Sequence, residues 1–130
     1  MPKYIELHAR SAFSFLHGAS TPEDLIAAGA ELEMPAMALL DRDGVYGAPR
    51  FHMAAKKSGI KAHIGAEIAV SSFKFQVSSS KNRDVIYLPL LVRNRTGYQN
   101  LCRLITLMKL RVPKHTLPAS RALVRATSSE

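Results

Sequence analysis

The chain has one cysteine, no tryptophan and no unbroken run of about 18 apolar residues. Cys102 has no internal disulfide partner, so a disulfide-stapled secreted scaffold is excluded. Without a long apolar run there is no membrane span to expect, and MPKYIELHAR lacks the apolar core of a secretory signal. A cytoplasmic location with no membrane partner is the resulting expectation. No phosphate-cradling glycine loop and no G-x-S-x-G elbow occurs. Aromatic residues do not alternate with basic ones as in a single-strand stacking platform.

Acidic residues are scarce in the second half only. Residues 1–70 hold seven Lys and Arg against eight Asp and Glu; residues 71–130 hold eleven against two. The net charge of +8 is therefore concentrated after residue 70. Such an excess suits a polyanionic partner such as DNA, or a basic solvated surface. With 130 residues and 47% apolar composition, the chain makes one domain with a core of useful size.

The most informative stretch is PAMALLDRDGVYG, Pro35 to Gly47. Ala36–Leu40 is an apolar run of strand length. Asp41, Arg42, Asp43 and Gly44 follow as a polar turn, and Pro49 then opens an Ala-rich helix. Strand, turn, helix is the α/β pattern in which chemistry sits past the carboxyl ends of strands. Three such units fill the first 70 residues. Tyr4–His8 reads as the first strand, Ala36–Leu40 as the second, and Lys61–Ile64 as the third, leading to Gly65 and Glu67. Strand character then continues or restarts over Glu67–Val77. The strands thus deliver His8, Asp41 and Glu67 near their ends, a set of metal-ligating type. Asp43 and His63 are further candidates; turn chemistry suits Asp43 better, and packing suits His63. His52 and His115 read as solvated, and Cys102 as core.

Helix signals are clear. Thr21, Pro22, Glu23 and Asp24 mark one N-terminus, with Leu25, Ala28, Gly29 and Leu32 as its apolar face. A second helix spans Ala48–Ser58, with Phe51, Ala54 and Ala55 inward and Gly59 after its end. Ser78–Asp84 reads as a polar turn, and Val85–Val92 as a strand whose Pro89 marks an edge or bulge. Thr96 and Gln99 match a capping box for a helix reaching about Leu110. Periodicity is lost beyond Val112, so 113–130 reads as a disordered tail.

The stretches ELHARSAFSFLHGAS, ALLDRDGVYGAPRFHMAAKKSGIKAHIGAEI and LPLLVRNRTGYQNLCRLITLMKLR resemble the PHP (polymerase and histidinol phosphatase) domain. It is the one that begins error-prone bacterial DNA polymerases of the polymerase III alpha type. The resemblance covers about residues 3 to 114. It implies an α/β fold, the N-terminal portion of a distorted (β/α)7 TIM-like barrel, over residues 1–112. It also implies a metal site at the carboxyl ends of the strands.

Residue by residue, His8 matches the first His of the family's H-x-H motif, and Arg10 stands at the second. His17 replaces the Asp of S-F-L-D-G. Asp41 matches the D-H pair, whose His is Arg42. Glu67 matches the Glu of G-A-E. Guanidinium has no lone pair to give a metal and keeps its charge. The resemblance therefore implies a degenerate site, His8, Asp41 and Glu67, holding zinc or manganese weakly or not at all, with His17 as a substitute ligand. Magnesium would belong to the polymerase reaction of the parent enzyme. The expected role is scaffolding in an error-prone polymerase of DNA repair and translesion synthesis, beside the polymerase core and DNA. A metal-dependent phosphoesterase or 3′–5′ exonuclease is one alternative. A non-catalytic module docking on a sliding clamp or another repair protein is the other. The palm is absent from these residues, so a truncated or frameshifted reading frame and an open barrel are further expectations.

Overall fold

The computed structural model describes residues 4–71 and 85–111. Its elements are β1 (Glu6–Ala9), α1 (Pro22–Glu31), β2 (Ala36–Arg42), α2 (Ala48–Ser58), β3 (Lys61–Ser71), β4 (Val85–Leu91) and α3 (Arg95–Arg111). The four strands form one sheet in the order β1-β2-β3-β4. The first three are parallel, and β4 joins β3 antiparallel. Parallel neighbours need a long crossover, which α1 and α2 supply.

Several elements differ from the sequence reading. β1 begins at Glu6, not Tyr4; the Tyr4 hydroxyl instead donates to Glu6 Oε2 at 2.6 Å. β2 continues through Asp41 and Arg42, because both pair with β3 opposite Ala66 and Glu67. β3 is one strand of 11 residues with no break at Ile64. The expected turn over Ser78–Asp84, the tail over 113–130 and His115 lie outside the described residues.

α1 starts where its capping residues place it. Thr21 Oγ1 accepts from Asp24 N at 3.2 Å, and Asp24 Oδ2 accepts from Thr21 N at 3.1 Å. Of the expected face, Leu25 packs half-buried against the core and Gly29 is buried, while Ala28 and Leu32 are exposed; the buried stripe is Pro22, Ile26 and Gly29. Spacings of four and three put those residues on one face; Leu32, the C-cap, is 68% exposed. α2 ends as expected on Gly59, whose φ of 72° is easily reached only without a Cβ. α3 is capped by Asn94, not Thr96: Asn94 Oδ1 accepts from Gly97 N at 2.9 Å. Thr96 lies inside the first turn.

Two apolar clusters lie against the sheet. Met37 and Leu39 of β2 pack on Ile26, Phe51, Ala55 and Ile60. Ala66 and Ile68 of β3 pack on Leu101 and Met108 of α3. Full burial of a side chain such as Phe51 contributes about 1.5–3 kcal/mol. The helix-packed residues of β2 are Met37 and Leu39, and those of β3 include Ala66 and Ile68. Strand alternation therefore turns Arg42 and Glu67 to the opposite face.

Candidate functional site

Arg42 and Glu67 are register partners on β2 and β3, so their side chains leave one face together. Glu67 is 1% exposed and is the hub of a charged cluster. His8 Nε2 lies 2.6 Å from Glu67 Oε2. The Arg10 guanidinium donates to the same oxygen. Arg42 reaches Oε1 at 3.4 Å, lies 4.0 Å over the Tyr87 ring of β4, and donates through its other terminal nitrogen to His17 Nε2. That last bond requires the neutral imidazole with its proton on Nδ1. Two fixed positive charges thus face one carboxylate. The Nε atoms of Arg10 and Arg42 are buried without a hydrogen-bond partner. Each such donor costs on the order of 1–3 kcal/mol.

Burial pushes the Glu67 carboxyl up, but hydrogen bonds from Arg10 and His8, and their charge, hold it below the ordinary value. The unfolded chain recovers the ordinary value. Between the two values the unfolded state binds more protons, so stability is complete above the ordinary carboxylate range and falls as pH drops through the lowered one. Urea unfolding followed from about pH 6 to about pH 3 is expected to show this decline. The decline is expected to be shallower in Glu67→Gln.

Asp41 does not join this cluster, which corrects the expected convergence of His8, Asp41 and Glu67. Asp41 pairs with Ala66, one residue back on each strand, so alternation sends it to the helix-covered face. There it is 1% exposed and accepts three kinds of bond. Ser11 N donates to Oδ1 at 2.8 Å, Ser11 Oγ lies within 2.9 Å of both oxygens, and Ser14 Oγ donates to Oδ1 at 2.8 Å. Ser14 Oγ in turn accepts from Arg42 N at 3.0 Å. A Cβ on Gly47 would come 2.8 Å from Asp41 Oδ2, so this cradle requires glycine there. Asp41 therefore anchors the β1–α1 loop. Asp41→Asn would turn an amide N–H₂ toward hydroxyl and amide donors. It is expected to cost about 2 kcal/mol, read as a lowered urea midpoint with an unchanged slope.

Asp43 also proves structural. It has φ of 51° and is 4% exposed. Its N–H donates to Glu67 O at 2.8 Å, and its Oδ1 accepts from Ala69 N at 2.9 Å. The β2–α2 turn thereby brackets Glu67 on β3. Sequence reading missed Ser11, Ser14 and Tyr87. The S-x-x-S spacing after β1 was the available signal for the two serines; Tyr87 had none.

A divalent ion needs several lone-pair donors around one point. Glu67 has His8 beside it, but guanidinium groups occupy the other approaches. Among the described residues no three His, Cys, Asp or Glu side chains are placed to hold a metal. The residues present do not fit one.

The family model of the PHP domain matches residues 6–129. This chain belongs to the PHP domain family. The match runs past residue 112, where the sequence reading set the domain boundary. This PHP domain is 44% identical over 105 residues to the error-prone DNA polymerase of Anaeromyxobacter sp. (strain K), covering 81% of the chain and 9% of that protein. It is 40% identical over 111 residues to the error-prone DNA polymerase of Corynebacterium diphtheriae, covering 85% and 10%. The PHP domain chain thus spans about a tenth of the length of the curated relatives it matches.

Among solved structures, an amidohydrolase from Chromobacterium violaceum with bound sulfate and no metal superposes with TM-score 0.61 at 24% identity, over 82% of this chain and 33% of that one. A protein of Bifidobacterium adolescentis described as a metal-dependent phosphoesterase gives TM-score 0.56 at 18% identity, over 82% and 34%. At these identities the likeness concerns the fold alone: a portion of the TIM-like PHP fold, as the sequence resemblance implied.

Proposed function

We propose that this PHP domain is the N-terminal scaffold of an error-prone DNA polymerase acting in repair and translesion synthesis, with a metal site that has lost its chemistry. The supporting observation is the Glu67 cluster: Arg10 and Arg42 stand where the family motif has histidines and neutralise the one carboxylate there. A guanidinium supplies charge and rigidity but no coordination. The parent reaction, nucleotidyl transfer assisted by magnesium, would be carried by residues outside this chain. Here the cluster ties the carboxyl ends of β1 and β2 to the middle of β3, beside a surface for packing against a polymerase core near DNA. The cytoplasm is the natural setting; among the described residues no helix is long and apolar enough to cross a membrane.

The purified chain is expected to extend no primer with magnesium and all four deoxynucleotides. It is also expected to release no phosphate from a model ester with zinc or manganese. Primer extension would overturn the scaffold reading, and metal-dependent phosphate release would restore the phosphoesterase alternative that the name of the Bifidobacterium neighbour brings forward.

A further inference from the structure

The positive excess after residue 70 takes no part in the Glu67 cluster. Residues 85–111 hold Arg93, Arg95, Arg103, Lys109 and Arg111 and no Asp or Glu. Four of these cations lie on α3. At 3.6 residues per turn, Arg95, Gln99, Arg103 and Lys109 fall within about 120° of the helix surface and along about 21 Å of its axis. All four are exposed. Leu101 and Met108 lie on the other side, buried against Ala66 and Ile68 of β3. The basic stripe therefore faces outward.

No carboxylate balances it among the described residues. α3 packs on β3, on β4 and on Val45 of the β2–α2 turn. Glu67 of β3 leaves the sheet on the opposite face, and β4 carries no acid. Asp41 and Asp43 are buried, bonded to donors of Ser11, Ser14 and Ala69. No ion pair of the described residues includes a cation of α3. Asp84 and Glu130 are the two acids after residue 70; five cations against Asp84 still leave +4 over residues 84–111. The fold does not explain this imbalance. A solvated helix gains from mixed signs, and α1 and α2 pair Glu23 with Arg50. Arg95 instead stands in the first turn of α3, where the helix dipole disfavours a cation.

We propose that the outer face of α3 binds the phosphate backbone of duplex DNA without reading its sequence. Cations spaced along a straight helix suit a partner whose charges are regular and fixed; a duplex carries roughly a dozen over that length. Gln99 adds an uncharged donor between them. A single strand would call for stacking rings, and the stripe has none. A lipid surface would call for an apolar face, and apart from Leu107 and Leu110 that of α3 is taken up by the sheet. This surface lies across the sheet from the Glu67 cluster and needs neither a metal nor the parent reaction.

The test is a fluorescence-anisotropy titration of the full 130-residue chain into labelled duplexes of two unrelated sequences, from about 50 to about 200 mM salt. Equal affinity for both is expected. The three stripe cations contribute about −2.7 to the slope of log affinity against log salt, a loss of about 40-fold over that range. Arg95→Gln, Arg103→Gln and Lys109→Gln together are expected to remove that share of the slope and to weaken binding about tenfold or more at the lower salt. Arg95→Lys with Arg103→Lys keeps the charge and is expected to bind within about twofold of the parent. Two control triples remove the same charge elsewhere: Lys56→Gln, Lys57→Gln and Lys61→Gln, and Lys114→Gln, Arg121→Gln and Arg125→Gln. Each is expected to change the slope by less than about 1. Arg95→Glu separates binding from folding, because an acid there suits the dipole. It is expected to hold or raise the urea midpoint while weakening DNA binding.

A parent chain that does not bind, or a stripe variant that binds as the parent does, overturns the proposal. So does an equal loss in either control triple, a marked preference between the two duplex sequences, or tighter binding to a single strand or to vesicles of anionic lipid. A lowered urea midpoint in Arg95→Glu assigns that charge to the fold and overturns it as well. None of these results touches the metal-poor reading of the Glu67 cluster, and metal-dependent phosphate release would overturn that reading while leaving this surface in place.

Discussion

Replacing Glu67 with alanine is expected to destabilise the chain by about 3–5 kcal/mol, the usual result of stripping the counter-charge from a buried pair. Three groups lose their common acceptor at once: His8, Arg10 and Arg42. Two guanidinium groups are then left facing each other with no negative charge between them. The loss is a large share of the 5–15 kcal/mol that holds a typical domain together. Thermal and urea unfolding measure it directly. Replacing Arg10 and Arg42 with methionine and Glu67 with leucine at the same time is expected to cost far less, because no buried charge is stranded. The contrast between single and triple variants separates a cluster that supports the fold from one that is merely tolerated. A single-variant loss below about 1 kcal/mol would mean that water already screens the cluster.

The second large effect concerns metal. Arg10→His, Arg42→His and His17→Asp together restore the family's motif residues around His8 and Glu67. The change removes two fixed positive charges, adds two lone-pair donors and exchanges the His17 ring for a carboxylate. Zinc or manganese affinity is expected to rise from weaker than about 1 mM to about 1 μM, a gain of about 4 kcal/mol. Titration calorimetry and metal retained after dialysis both read it. Adding Glu67→Ala to the triple variant is expected to abolish the gain, whereas adding Asp41→Asn is expected to leave most of it, since Asp41 lies on the other face. A triple variant that stays metal-free would show that the backbone, and not only the side chains, has moved away from a coordinating geometry.

Much of this was legible in the residues. Thr21, Pro22 and Asp24 placed one helix start, Gly59 one helix end, and Ala36–Leu40 the central strand, because these depend on local chemistry. The pairing of His8 with Glu67, and the intrusion of Arg10 and Arg42, followed from motif positions. The fate of Asp41 did not. Its face depends on whether β2 ends at Leu40 or runs on through Arg42, and one residue of strand inverts the direction of a side chain. The motif groups Asp41 with His8 and Glu67, whereas pleating sets it back to back with Arg42 and Glu67. The hydroxyls of Ser11 and Ser14 were equally hidden, since their acceptor is 27 to 30 residues away. Asn94 displaced Thr96 as a helix cap because both are good caps, and only the path of the chain out of β4 decides between them.

Pro89 carries a consequence for the rim of the sheet. Val92 N donates to Ile64 O at 2.9 Å, and the antiparallel register places Pro89 opposite Glu67 three residues earlier. Inward donors on β4 therefore alternate with outward ones, and position 89 falls in the outward row. Proline leaves that row with a missing donor in its middle. A strand arriving along β4, whether from this chain or another copy, finds the ladder interrupted level with the charge cluster. Runaway stacking of copies through this border is thereby disfavoured at the point where the molecule can least tolerate a neighbour.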